Sequence, residues 1–477
     1  MSLPRIYISA AHKSSGKTTL SIGLCAALTA KGLNIQPFKK GPDYIDPLWL
    51  GAASGNQCYN LDFNTQGNDE ILSMFGEKGS SSNIIVTEGN LGLYDGTDVL
   101  GSNSNAAMAK LTKSPVILVI DAQGVSRGVA PLLVGYQQFD QEVNIAGVIF
   151  NKVRGDRHAK KLRDVVEYYT DIPIIGSVQQ HNDLMLVERH LGLMPYNETA
   201  KAMNKITHIR DQIVDQVDIE AVTRIANVNQ SGDLIIPDKK IVKVSVENVE
   251  QGPLKIGICR DEAFGFYYPD DLESFEREGC ELVEIDCLND QELPEIDGLF
   301  IGGGFPETKL AELSENYLLR QQIHDAIEQG LPTYAECGGL MYLANHISWM
   351  GDKAEMVGVI PGDAVLYKRP QGRGYIEVSE TKDMLWSRKP KKSETIHAHE
   401  FHYSKLENLT KDLTEKGRFA YSVQRGTGID GENDGWVYKN LLASYAHMRN
   451  TEENQWVSRF IDFVRKQIHT DRDSVNS

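Results

Sequence analysis

A short apolar strand, Arg5-Ile6-Tyr7-Ile8-Ser9-Ala10, runs directly into Ala11-His12-Lys13-Ser14-Ser15-Gly16-Lys17-Thr18-Thr19 and then into the helical periodicity of Leu20 to Leu28. Few folds accept that order. The backbone amides of such a loop wrap a phosphate, and the helix that follows adds a favourable dipole. Ser14, Ser15, Gly16, Lys17, Thr18 and Thr19 are therefore expected to bind a nucleotide, with Lys17 reaching the terminal phosphates and Thr18 ligating magnesium. One departure is Ala11, which stands where the usual pattern has glycine, so the opening of the loop must accept a Cβ. A chance Gly-Lys-Thr in an ordinary loop would lack this strand and helix on either side.

Further strands agree with that start. Ile84-Ile85-Val86, Pro115-Val116-Ile117-Leu118-Val119-Ile120 and Ile145-Ala146-Gly147-Val148-Ile149-Phe150 are apolar on both faces, as parallel strands covered by helices are. Glu88, Asp121 and Asn151-Lys152 follow them, at the carboxyl ends where open α/β sheets bind ligands. A helical stretch is expected from about Thr199 to Ala226, then a polar connection through Gln230-Ser231-Gly232-Asp233 to Gly252-Pro253. Lys255-Ile256-Gly257-Ile258-Cys259 begins a second sheet. The expected fold class is α/β with two domains: a parallel-sheet nucleotide-binding domain over residues 1–230, a linker over 231–253, a second α/β domain over 254–469 and a frayed polar tail over 470–477.

Cys337 stands in Tyr334-Ala335-Glu336-Cys337-Gly338-Gly339, where a strand runs into a glycine-flanked thiol and then a helix. This is the pattern of a nucleophile elbow. The tight turn exposes sulfur, and the amide of Gly338 can stabilise an oxyanion. The run Gly302-Gly303-Gly304, after Asp297-Gly298-Leu299-Phe300-Ile301, offers a second backbone donor, assigned to Gly303. His447 in Ser444-Tyr445-Ala446-His447, after Leu441-Leu442-Ala443, is the candidate base, brought close by folding. The plain alternative is a buried free cysteine, common for the residue type. Agreement of three separate segments favours a catalytic thiol.

Other classes are disfavoured by composition. A net charge of −17 argues against nucleic acid as a partner. No window approaches a membrane span, and the first residues lack a signal-peptide pattern. Six cysteines, at 25, 58, 259, 280, 287 and 337, form neither a disulfide framework nor a CxxC metal pair, which suits a reducing cytoplasm.

Phe38-Lys39-Lys40-Gly41-Pro42-Asp43-Tyr44-Ile45-Asp46-Pro47, Glu88-Gly89-Asn90-Leu91-Gly92-Leu93-Tyr94-Asp95-Gly96 and Arg189-His190-Leu191-Gly192-Leu193 resemble the cobyrinic acid a,c-diamide synthase family. So do Arg260-Asp261-Glu262-Ala263-Phe264-Gly265-Phe266-Tyr267-Tyr268-Pro269, the Cys337 motif and His399-Glu400-Phe401-His402-Tyr403-Ser404, in the right order over nearly the whole chain. The resemblance implies an N-terminal domain similar to dethiobiotin synthetase and a C-terminal domain similar to triad-type glutamine amidotransferases. ATP would activate a carboxylate as an acyl phosphate, and a thiol that hydrolyses glutamine would deliver unprotonated ammonia. By position in the family motifs, Thr18, Asp43 and Glu88 are the expected magnesium set, Lys39 a second phosphate-facing cation, and Asp46 and Asp95 residues facing the substrate or a second metal. Asn151-Lys152 resembles the base-recognition element of this nucleotide fold.

Two features depart from the wider pattern. Triad-type amidotransferases place an acid two residues after the catalytic histidine, whereas Arg449 stands there, so a dyad is expected with the group orienting His447 left open. His397, His399 and His402 invite a metal reading, set below a loop near the substrate because no further ligand cluster is apparent. The resemblance implies a tetrapyrrole and L-glutamine as small-molecule partners, with ATP and Mg2+; assembly as a homodimer is left open. A polyanionic substrate against the net charge calls for a local basic rim, for which Lys39, Lys40 and the stretch Arg369 to Arg373 are candidates. Two alternatives stay open: the same chemistry on siroheme or nickel-sirohydrochlorin, and a nucleotide-dependent regulator with an inactive amidotransferase domain.

Overall fold

The computed structural model describes residues 3–181, 188–189, 192–193, 202–228, 234–237, 253–386, 395–408 and 418–475. The chain divides into two compact units, Met1–Ile241 and Val242–Ser477. In the first, β1 (Arg5–Ala10), β2 (Ile35–Lys40), β3 (Tyr59–Leu61), β4 (Ile84–Glu88), β5 (Val116–Asp121), β6 (Ile145–Val153) and β7 (Ile174–Gln179) form one sheet in the order β3-β2-β4-β1-β5-β6-β7. Every pairing is parallel. Side chains alternate across each strand, so a sheet covered on both sides must be apolar on both. In β1, Ile6 and Ile8 join the layer built on Leu24, Leu50 and Ile209, while Tyr7 joins the opposite layer with Phe75, Met108 and Leu133. β1 lies between β4 and β5, which places its carboxyl end at the point where the strand order reverses.

Helix α1 (Lys17–Ala30) is buried from Leu20 to Leu28, because it packs on the sheet and against the helix Ala202–Gln216 as well. The stretch expected as one helix to Ala226 is two, Ala202–Gln216 and Ile219–Asn227. Val217 bridges to Gly176 at the sheet's edge, and the Asp218 side chain accepts from the Ala221 amide at 2.8 Å, so a cap restarts the helix. Of the expected linker, Leu234–Pro237 packs on the first unit: Leu234 is buried beside Phe75, and Ser73 Oγ donates to the Pro237 carbonyl at 3.2 Å. In the Arg189–Leu193 motif, Glu188–Arg189 and Gly192–Leu193 pair antiparallel; His190 and Leu191 lie outside the described residues.

The second unit is built on a nine-stranded sheet. Cys280–Ile285, Leu254–Cys259, Gly298–Ile301, Thr333–Glu336 and Leu441–Ser444 are parallel, in that order, and Asn433–Tyr438, Arg418–Arg425, Gly372–Glu380 and Thr395–His402 extend it antiparallel. A ring cluster locks the central strands: Phe300 stacks on Tyr334 at 5.4 Å and meets Trp456 edge-on at 5.2 Å. Trp456 begins a helix that continues to Val475, where a frayed tail was expected from Thr470. Its Val457, Phe460, Ile461 and Val464 are buried against the sheet. Among the described residues no helix is long and apolar enough to cross a membrane.

Two glycines test this packing in opposite directions. A Cβ on Gly339 would lie 2.3 Å from the Ile301 carbonyl oxygen, so Gly339→Ala should destabilise by about 1–3 kcal/mol through overpacking. Gly135, exposed within the helix Val129–Phe139, faces open space, and Gly135→Ala should stabilise by about 0.5–1 kcal/mol. Urea unfolding followed by tryptophan fluorescence checks both signs.

Candidate active sites

The phosphate loop leaves β1 at Ala10 and turns into α1 through Gly16, whose φ of 88° is left-handed. No other residue fits there, since a Cβ would lie 2.1 Å from Asn151 Nδ2. Asn151 Nδ2 donates to the Ser15 carbonyl at 2.9 Å, and Lys152 Nζ binds the Ser14 carbonyl at 3.0 Å and Asp121 Oδ2 at 2.7 Å. The pair read as a base-recognition element thus braces the loop from beneath. Ala11 is held by its amide on Val119 O and its carbonyl under the Tyr136 hydroxyl at 2.6 Å, and its φ is not left-handed, so its Cβ brings no strain. Lys17 Nζ reaches the Leu91 carbonyl at 2.6 Å; burial, and then the charge of Lys39, lower its pKa to about 8.

Beside the loop, the ends of β2 and β4 and the start of the helix Ile45–Ser54 bring acids together around one ammonium. Lys39, buried, sits 2.8 Å from Glu88 Oε1 and 3.7 Å from Asp43 Oδ2, and also pairs with Asp46 Oδ2. Thr18 Oγ1 donates to Glu88 Oε1 at 2.8 Å and to Asp46 Oδ2 at 3.2 Å. Of the two aspartates it is Asp46 that meets Thr18, while Asp43 Oδ1 caps the Ile45 and Asp46 amides at 2.9 and 3.1 Å. Burial raises Glu88, and it raises Asp43 to about 7 with Asp46 adding to it; Asp46 stays low despite burial because Lys39 holds its charge.

Among the described residues no group of three His, Cys, Asp or Glu is arranged to hold a metal, since these acids close on Lys39. The donor set still suits magnesium, which takes one or two carboxylates and completes its shell with water and substrate phosphates. Glu88 Oε2, buried without a partner, is an oxygen left over for such an ion. Asp95 Oδ2 accepts the Gly92 amide at 2.9 Å and so shapes the Glu88–Gly96 loop. Asn105, which carried no motif signal, holds the same loop: its Oδ1 accepts Tyr7 OH at 2.9 Å and its Nδ2 donates to Gly92 O at 2.7 Å. Lys39 and Lys40 are both buried, and of the expected basic rim the stretch near Arg369 and Arg373 is the exposed part.

In the second unit the elbow is strained at the thiol: Cys337 has φ 47° and ψ −98° between the strand Thr333–Glu336 and the helix Gly338–Leu343. Its amide donates to Ser444 O at 2.7 Å, which ties it to the strand leading to His447. Glycine is needed at two places around the thiol and the imidazole. A Cβ on Gly338 would lie 2.9 Å from the Gly304 amide, and one on Gly303 would lie 2.6 Å from His447 Cε1. The backbone of the Gly302–Gly304 run is thereby brought against both the elbow and the imidazole.

His447 is buried, its ring stacked on His399 at 4.8 Å and 12°. Burial alone would lower its pKa, but the Cys337 sulfur and the Glu336 carboxylate beside the ring raise it to about 10. Glu336 Oε2 lies 3.4 Å from His447 Nδ1, in a place the sequence left vacant. Arg449, two residues beyond His447, turns to Asp270 at 3.1 Å and covers the Tyr268 ring. The expected loop is instead the end of the strand Thr395–His402 and, after Tyr403, the start of the strand Ser404–Glu407, and its Phe401 carbonyl accepts from the Cys337 thiol at 3.9 Å. Strand alternation splits the three imidazoles: His397 and His399 share one face, while His402 lies on the other, stacked on Tyr445 at 3.9 Å with Nδ1 at the Ser404 carbonyl. They do not form one ligand set.

Comparison with known proteins accords with two chemistries on one chain. Residues 7–193 match the CobQ/CobB/MinD/ParA nucleotide binding domain, and residues 255–455 match the CobB/CobQ-like glutamine amidotransferase domain. A cobyrinate a,c-diamide synthase of Magnetococcus marinus is 41% identical over 98% of this chain and 98% of its own. Those of Methanosarcina acetivorans and Caldanaerobacter subterraneus are 37% and 38% identical, over 98% and 95% of this chain and 96% and 97% of theirs. Similarity of that extent, covering both the phosphate loop and the thiol elbow, shows that this chain belongs to the cobyrinate a,c-diamide synthase family.

Proposed function

We propose that this protein is a cytoplasmic ligase that uses ATP and glutamine to amidate the a and c side-chain carboxylates of cobyrinic or hydrogenobyrinic acid. The observation that carries the reading is the pairing, in one chain, of a phosphate loop set against buried acids with a strained thiol beside a buried imidazole. Neither half alone makes an amide from a carboxylate at neutral pH. A carboxylate needs a better leaving group than hydroxide, and free ammonia is scarce because it is mostly protonated.

In the first domain the substrate carboxylate attacks the terminal phosphate of ATP, giving an acyl phosphate and ADP. Lys17 moves from the Leu91 carbonyl to neutralise charge on the transferring group, and Lys39 holds the neighbouring acids in place. Magnesium, arriving with the nucleotide, would neutralise phosphate charge; Thr18, Asp46 and Glu88, which meet, would hold it with Asp43 beside them. In the second domain the Cys337 thiolate attacks the glutamine amide carbon, and His447 gives its proton to the departing ammonia. The amides of Gly303 and Gly338 steady the oxyanion, and water, activated by His447, releases glutamate from the thioester. Ammonia then attacks the acyl phosphate and inorganic phosphate leaves. The deciding experiment is to offer cobyrinic acid, siroheme and nickel-sirohydrochlorin with ATP, magnesium and glutamine and to ask by mass spectrometry which gains amides; gain on another macrocycle only would overturn the corrin assignment.

Three outcomes are expected of the pure enzyme. Cys337→Ala should lose glutamine-dependent amidation yet keep activity with concentrated ammonia at raised pH, as assayed by product mass. Lys17→Ala and Glu88→Gln should each lose about a hundredfold or more with either nitrogen donor, because a preorganised charge next to the transferring phosphoryl is gone. A time course should show free monoamide before diamide, since one phosphate loop and one thiol serve two carboxylates and the macrocycle must rebind between them.

A further inference from the structure

The acid missing two residues after His447 has a replacement in an unexpected place. Glu336 directly precedes the nucleophile, and its buried carboxylate is fixed by two hydrogen bonds. Oε1 accepts the Tyr334 hydroxyl at 2.6 Å, from the same face of the strand, and the Met448 amide at 2.8 Å, from the residue after His447. Oε2 is left facing His447 Nδ1 at 3.4 Å. That is longer than a formed hydrogen bond, as contacts in unliganded catalytic sites commonly are.

We propose that Glu336 is the positioning residue of the amidotransferase centre, completing a Cys337-His447-Glu336 triad whose acid comes from the strand before the thiol instead of the segment after the histidine. One carboxylate oxygen anchors the backbone that carries the imidazole, and the other sets the ring's tautomer. With Nδ1 turned to Glu336, Nε2 is the nitrogen that serves Cys337. The neighbouring groups described around the ring are engaged elsewhere. His399, stacked on it, is driven well below its ordinary range by burial and by the charges of His447 and Arg449, and stays neutral. Tyr268 bonds His399 Nδ1 at 3.3 Å, and Asp270 Oδ2 pairs with Arg449 at 3.1 Å. The nucleophile and its orienting acid are therefore adjacent in sequence, so the strand that presents the sulfur also sets the base.

This inference rests on the proposed glutaminase role of Cys337, and the test separates the two. Glu336→Gln keeps an acceptor for Tyr334 and Met448 but puts an amide N–H against His447 Nδ1, which favours the wrong tautomer. Glutamine hydrolysis should fall about 10²-fold or more in kcat, with KM for glutamine little changed and ammonia-dependent amidation intact. The alkaline limb of its pH profile should move to lower pH, because a neutral amide no longer holds the imidazolium charged. Glu336→Asp retains the charge but retracts it by one methylene, so it should lower kcat while leaving that limb in place. A Glu336→Gln enzyme with unchanged kcat and unchanged alkaline limb overturns the triad, while a Cys337→Ala enzyme that still hydrolyses glutamine overturns the thiol assignment itself. If Glu336→Gln fails to fold, judged by circular dichroism and lost ammonia-dependent activity, Glu336→Asp decides: full kcat with glutamine refutes the positioning role.

Discussion

Three carboxylates can share one buried corner of the first domain only because an ammonium sits among them. Lys39 reaches Glu88, Asp46 and Asp43 from the carboxyl end of β2, and Thr18 ties two of the same acids to the start of α1. Without it, desolvation and mutual repulsion would force protons onto the acids, as the raised Glu88 and Asp43 already indicate. The attraction works in both directions. Lys39 is held charged well above its ordinary range by the acids in spite of its burial, so the cluster behaves as one unit. Two strands and two helix starts meet in it, beside the loop that would receive the phosphates.

The second domain solves a different problem, that of holding a strained residue against a rigid support. A non-glycine residue at φ 47° and ψ −98° costs about 1–3 kcal/mol and persists only where the surroundings over-determine it. Here the surroundings are the packed rings of Phe300, Tyr334 and Trp456 behind the strand and the hydrogen bond from the Cys337 amide to Ser444. Glycines at 303 and 338 remove the side chains that would otherwise hold the imidazole and the Gly304 amide away. Burial then sharpens the electrostatics: of two stacked imidazoles, His447 is pulled toward the charged form by its sulfur and carboxylate neighbours, and His399 toward the neutral form.

Both centres could be read in the sequence because their decisive chemistry is local. A phosphate loop and a thiol elbow are strand, turn and helix in succession, and the residue types that make such turns are few. Glu336, 3.4 Å from His447, escaped because an acid beside a candidate thiol looks like any strand residue, and the place where triad-type enzymes carry an acid was occupied by Arg449. Asn105 escaped for a similar reason: it opens a helix behind Ser104, where asparagine is ordinary, and its role lies in bonds to Asn90, Gly92 and Tyr7. The imidazoles at 397, 399 and 402 suggested a ligand cluster by their closeness along the chain. The two-residue period of a strand sends them to opposite faces.

What the sequence alone determined is the set of short-range geometries: a glycine at 16 where φ is positive, a lysine and threonine at the helix start, a sulfur on a turn between strand and helix, and apolar runs that demand cover on both faces. What only the tertiary structure decided is which distant groups share an electrostatic neighbourhood. Lys39 with Glu88, Asn151 beneath Ser15, and Glu336 against His447 are encounters across sheets, set by strand order and register. Local composition cannot specify them, because the protonation and direction of a buried charged group depend on every charge near it in space, whereas sequence spacing records only its neighbours along the chain.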